Sequence, residues 1–173
     1  MELSITIIII AVTSIVSFVA FSNNKVLEQF IFYPPAVRRG QWYRFFSCGL
    51  IHADWGHLIF NMIALYMFGE IVEAQFVGVF GPTGKLVYLA MYVLALAASV
   101  IPTYINNKDN YHYRSLGASG AVSAVVFTKI LIEPIMGVGL LPPRIHRSLP
   151  HGTIAPARWS SKPNSRPRPA LRR

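Results

Sequence analysis

Leu3 to Phe21 is a run of nineteen residues without a charged side chain. As a helix rising about 1.5 Å per residue, it reaches about 30 Å, the thickness of a bilayer's hydrocarbon core. That stretch narrows the choices for the whole chain. Backbone polar groups in hydrocarbon must be bonded internally, and only helices and closed barrels achieve this. The competing reading is a secretory signal peptide, but no basic segment precedes the run and it is longer than a signal core. A retained membrane helix is the expectation.

The rest of the chain agrees. Hydrophobic residues make up 53% of it, charged residues only 13%, and the mean hydropathy is +0.44, which excludes an ordinary soluble domain. With 173 residues there is room for at most one domain. A single cysteine, Cys48, excludes an internal disulfide and a cysteine metal cluster. The net charge of +9 would suit nucleic acid, but its location argues otherwise. Residues 1–141 carry eight Lys/Arg against all seven acids, while residues 142–173 carry the other eight and no acid. The body is nearly neutral, and the basicity belongs to the tail.

The expected fold class is an all-α polytopic membrane protein with spans near residues 3–21, 55–75, 86–105 and 117–133. Ser22 to Ile51 reads as a polar-aromatic connection in which Pro34-Pro35 forbids a continuous helix. Within it, Trp42 and Tyr43 beside arginines suit the membrane–water interface. Asp54 is the expected N-cap of the second span. Residues 76–85 read as a Gly/Pro turn, and Pro134 argues for the end of the fourth span. Lys129 and Glu133, at i and i+4, are placed to pair at the far interface. The domain is taken as 1–141. The stretch 142–173 holds seven of the twelve prolines and reads as a disordered basic tail.

Two polar groupings stand out against this apolar background. Gly117-Ala118-Ser119-Gly120 opens the fourth span and puts a serine hydroxyl just inside the membrane. Small residues at a helix-packing seam and a functional hydroxyl are both open readings of it. His57 and Asn61, four apart, share one face of the second span, and His52 falls in the loop before it. The histidines are five apart with no further ligand at a usual spacing, so a zinc site is not expected. A structural polar cluster and a set of hydrogen-bond donors serving chemistry remain.

Taken together, Trp42-Tyr43-Arg44, His52-x4-His57-x3-Asn61 and Gly117-x-Ser119-Gly120 resemble the rhomboid family of intramembrane serine proteases, in the family's order. The resemblance covers roughly Phe30 to Leu141. It implies a helical bundle with about four of the family's six transmembrane helices, and cleavage of transmembrane protein substrates without cofactor or metal. By resemblance Ser119 is the nucleophile, and His57, Asn61 and the Ser119 amide stabilise the oxyanion. His52 is a structural histidine, Trp42 and Arg44 belong to a first-loop motif in the interface, and Gly117 and Gly120 permit close packing. The family's general base is a histidine on the sixth helix, and no residue here can be identified as that base. His146 and His151 sit among Pro and Arg in the tail and are rejected.

Without a base the serine is a poor nucleophile, so the chain as written is expected not to cleave protein. The change of composition at about Leu141 suggests a frameshift or truncated reading. A rhomboid-like protein that binds transmembrane helices without cutting is the alternative function. A tail that binds anionic lipid or nucleic acid is a third, disfavoured because Trp159 is its only aromatic residue. No nucleic-acid partner is expected; the lipid bilayer is. The family topology puts the amino terminus in the cytoplasm, and the expected location is a prokaryotic inner membrane.

Overall fold

The computed structural model describes residues 4–137. These form an all-α bundle whose long helices are α1 (Ile5–Ser22), α5 (Trp55–Phe80), α6 (Gly84–Asn107) and α7 (Ser119–Gly137). Three short helices lie in the first loop: α2 (Asn24–Phe30), α3 (Pro34–Arg38) and α4 (Arg44–Ser47). Among the described residues there is no strand, only an isolated antiparallel bridge between Phe32 and Ser115. Residues 142–173, read from sequence as a basic tail, lie outside the described residues.

Among the described residues two helical stretches are long and apolar enough to cross a membrane, Ile5–Ser22 and Trp55–Asn107. The second is α5 and α6 joined through the tight turn Gly81–Thr83. Their surfaces fit hydrocarbon. Ile15, Phe60, Ile63, Tyr66, Leu86 and Leu94 are each more than half exposed. A soluble monomer rarely leaves so much apolar area in water. The core sits between α5, α6 and α7, where Leu65, Val72, Tyr88, Leu96, Ala121 and Val125 are buried together.

Three boundaries differ from the sequence expectation. Helix α5 continues through Phe76–Phe80, where a turn was expected, and Gly81 at φ +62° ends it. Gly78 lowers helix propensity there, but the Phe76 ring packs on Phe80 and Tyr88, and tertiary contact overrides it. Helix α7 begins at Ser119 rather than Gly117, because Gly117 has φ +113° and cannot be a helical residue. It also passes through Pro134 to Gly137. A proline removes one backbone donor, which membrane helices tolerate. Lys129 Nζ lies 2.6 Å from Glu133 Oε1, the pairing expected from their spacing.

The lower end of α1 is closed by an unexpected partner. Its first turn contains no acid. Instead Glu73, from the middle of α5, turns its carboxylate onto the helix start. Ile5 N and Thr6 N donate to it at 2.9 Å, as do the hydroxyls of Ser4 and Thr6. The first amides of a helix lack partners within it, and its dipole favours a negative charge there. Glu73 supplies both while only 5% exposed, and the Tyr88 hydroxyl, 3.0 Å from Thr6 Oγ1, extends the cluster to α6. Glu73→Ala should therefore lower the unfolding free energy by about 3 kcal/mol, since charge-assisted bonds to buried amides are lost together. Reversible denaturation in mixed micelles measures this, and a variant as stable as the parent would refute the capping role.

Candidate functional site

The site is assembled where the loop after α6 meets the start of α7. Residues 108–117 are fixed against the first loop. Phe32 and Ser115 exchange backbone hydrogen bonds of 2.9 and 3.1 Å. Arg38 pairs with Asp109 and Arg114 with Glu28, with the Arg114 guanidinium over the Tyr33 ring. Gly117 then turns the chain into α7. Its N–H donates to the Cys48 carbonyl at 2.9 Å, and a Cβ built on it would stand 2.6 Å from His57 Cε1. The left-handed φ and the imidazole pressed against the α-carbon together require glycine here.

Ser119 is the first residue of α7 and is exposed. Among the described residues its hydroxyl has no hydrogen-bond partner. The following Gly120 lets α7 lie against α6, since a Cβ there would meet Ser99 Cβ at 2.2 Å. A serine at a helix start with a free hydroxyl is sterically accessible, and the start of the helix favours developing negative charge beside it.

His57 and Asn61 enter from α5. The backbone N–H of His57 donates to Asp54 at 2.8 Å, so Asp54 caps the helix as its sequence position predicts. The half-buried His57 ring lies against Gly117, two residues from Ser119. Asn61 is 2% exposed, and its Nδ2 donates to the His57 carbonyl at 2.8 Å. The structure thus brings His57 to the Gly117–Ser119 turn but leaves the Asn61 amide bonded within its own helix. An oxyanion contact from Asn61 would need its side chain to turn.

His52 is 1% exposed and spans three elements. Its Nδ1 lies 3.0 Å from the Ser17 hydroxyl of α1, and its Nε2 accepts from the Ala118 N–H at 3.4 Å. Its ring meets that of His57 edge-on at 5.0 Å. Burial, followed by the neighbouring His57 and opposed by Asp54, lowers its pKa from 6.5 to about 4. Trp42 and Arg44 part company. Trp42 is exposed and stacks on Phe45. Arg44 was expected in the interface but is turned inward, 7% exposed, donating to the carbonyls of Glu28 and Ile31 and to Gln41. Those backbone acceptors come from tertiary folding, so the sequence could not reveal them.

Two contributors escaped the sequence reading, Ser17 and Glu73. Both are polar groups at membrane depth, and asking which partner satisfies each would have singled them out. Among the described residues no three His, Cys, Asp or Glu side chains are grouped to hold a metal ion. The rejected candidates for a base, His146 and His151, lie outside the described residues. The remaining histidine, His112, is exposed in the α6–α7 loop.

The family model described as Rhomboid domain matches residues 39–137. The chain is 30% identical over 92 residues to "Rhomboid-like protein 11, chloroplastic" of Arabidopsis thaliana, covering 53% of this chain and 30% of that one. It is 27% identical over 124 residues to "RHOMBOID-like protein 12, mitochondrial" of the same plant, covering 66% and 36%. It is also 30% identical over 90 residues to "Putative rhomboid protease YdcA" of Bacillus subtilis, covering 52% and 41%. The chain thus spans well under half the length of these relatives. No solved structure gives a significant match.

Two consequences are measurable. A neutral His52 accepts the Ala118 amide, whereas a protonated ring turns a donor toward it. The folded pKa of a base is depressed here, so its contribution is complete above pH 6.5 and declines as pH falls toward about 4. Unfolding free energy should drop by roughly 3 kcal/mol across that window, and a His52→Phe variant should lack this step. Gly117→Ala should cost about 1–3 kcal/mol through the strained φ and the His57 contact. Equal stability of Gly117→Ala and parent in the same titration would show that the turn has another conformation.

Proposed function

The chain belongs to the rhomboid family, and from that membership we propose that it carries the nucleophile half of an intramembrane serine endopeptidase. The exposed, unpartnered Ser119 hydroxyl beside a histidine-packed glycine turn carries this reading. Ser119 attacks the carbonyl carbon of a peptide bond in a transmembrane protein substrate. The oxyanion that forms is met by donors from His57, by the Ser119 amide at the start of α7, and by Asn61 once its amide leaves the His57 carbonyl. Such donors typically contribute about 3 kcal/mol each to the transition state. His52, Gly117 and Gly120 hold the turn, Arg44 holds the first loop, and Trp42 seats it at the interface. No metal or cofactor enters the reaction.

The proton from Ser119 needs an acceptor. His52 is committed on both nitrogens, and no side chain among the described residues hydrogen-bonds to Ser119. That observation favours a second reading, a rhomboid-like protein that binds transmembrane helices in the bilayer without cutting them. The proposal extends to a prokaryotic plasma membrane with a cytoplasmic amino terminus. Similarity to the Bacillus subtilis relative supports it, while the two plant relatives carry organelle names.

With the protein reconstituted into liposomes beside a fluorogenic transmembrane substrate, release of fluorescence that Ser119→Ala abolishes would establish the peptidase reading over the expectation that a serine without its base does not cut. His57→Ala and Asn61→Ala should each lower kcat by about 100-fold or more with little change in KM. Substrate capture without cleavage, unchanged in Ser119→Ala, would establish the non-cutting reading instead.

A further inference from the structure

The one serine of α1 that is fully buried does more than fill space. Ser17 Oγ lies 3.0 Å from the Leu50 carbonyl and 3.0 Å from His52 Nδ1, and His52 Nε2 in turn faces the Ala118 N–H at 3.4 Å. A hydroxyl has one proton to give and can accept at its lone pairs. Leu50 offers only an acceptor and Ala118 only a donor, so the direction of every bond is set. Ser17 donates to Leu50, His52 Nδ1–H donates to Ser17, and His52 Nε2 keeps its lone pair for Ala118. Reversing the ring's proton would turn Nε2–H against the Ala118 N–H and leave Leu50 without the Ser17 proton. Ring tautomers are assigned from networks of this kind, and here only one assignment satisfies all three partners.

We infer that Ser17 of α1 is a positioning residue that fixes the His52 tautomer and, through it, the Ala118 amide next to Ser119. The first helix thereby acts on the start of α7 although it contributes no side chain to the chemistry. Ala118 is fully buried and immediately precedes Ser119, so the orientation of its peptide sets how the Ser119 hydroxyl leaves the turn. His57, edge-on to the ring, and Asp54 are the titratable neighbours of His52. Both bear on its charge, but neither hydrogen-bonds to its nitrogens. The link to catalysis rests on Ser119 being the nucleophile; the proton arrangement does not.

Magnetic resonance of the full chain in lipid bicelles, with isotopically labelled histidine and alanine, tests this directly at neutral pH. The wild-type protein should show His52 protonated at Nδ1 and bare at Nε2, with the Ala118 amide coupled to Nε2 across the hydrogen bond. Ser17→Ala should lose that coupling and give a mixture of ring tautomers, and Ser17→Thr, which keeps the hydroxyl, should restore both. A proton on Nε2 in the wild type overturns the inference, as does a folded Ser17→Ala variant with unchanged ring and amide signals. If Ser17→Ala does not fold, Ser17→Thr decides: retained coupling supports the role and its loss in a folded protein refutes it. Labelling of Ser119 by a fluorophosphonate is read on the same samples. No labelling with the wild-type ring pattern intact sinks the protease reading and leaves the Ser17 assignment standing.

Discussion

A polar group in hydrocarbon has to find its partner within the protein, and this chain meets that constraint at both ends of its first helix. At one end the Glu73 carboxylate closes the start of α1 and draws Thr6 and Tyr88 into one cluster. At the other end Ser17 is bonded through His52 to the turn that begins α7. Both links join elements far apart in sequence, where loop closure costs most and water offers no competing partner. With α1 pinned twice to α5 and the loops around it, the apolar faces of α5, α6 and α7 are free to pack against one another.

The site at the head of α7 depends on that frame. Gly117 is held from one side by the Cys48 carbonyl and from the other by the His57 ring. Ala118 is held by His52, and the first loop is held by the inward-turned Arg44. Ser119 is left exposed at the end of these restraints. On the proposed reading this division has a chemical sense. The neighbours of the serine are fixed so that its hydroxyl and the adjacent amide present a constant geometry, and the hydroxyl itself keeps no ground-state bond that substrate would have to break. The Asn61 amide, spent on the His57 carbonyl, is the one proposed donor that must move.

Much of the fold was legible in the sequence because it follows from local chemistry. The charge-free run of α1, the N-cap at Asp54 and the Lys129–Glu133 pair need no knowledge of the rest of the chain. The failures fell where a distant contact decided the outcome. Phe76–Phe80 is helical because Tyr88 packs beside it, against the propensity of its glycine. Arg44 reads as an interfacial arginine until the carbonyls of Glu28 and Ile31 are brought around it.

For the site, sequence alone singled out the candidate residues. Ser119, His57, Asn61 and His52 declare themselves because polar side chains are costly at membrane depth and their spacing sets which share a helix face. Tertiary structure alone decided which of these side chains meet. It put the His57 ring on Gly117, spent Asn61 within its own helix and recruited Ser17 and Glu73 from runs that read as uniformly apolar or helical. Those outcomes depend on the packing of helices remote in sequence, which periodicity and composition do not encode.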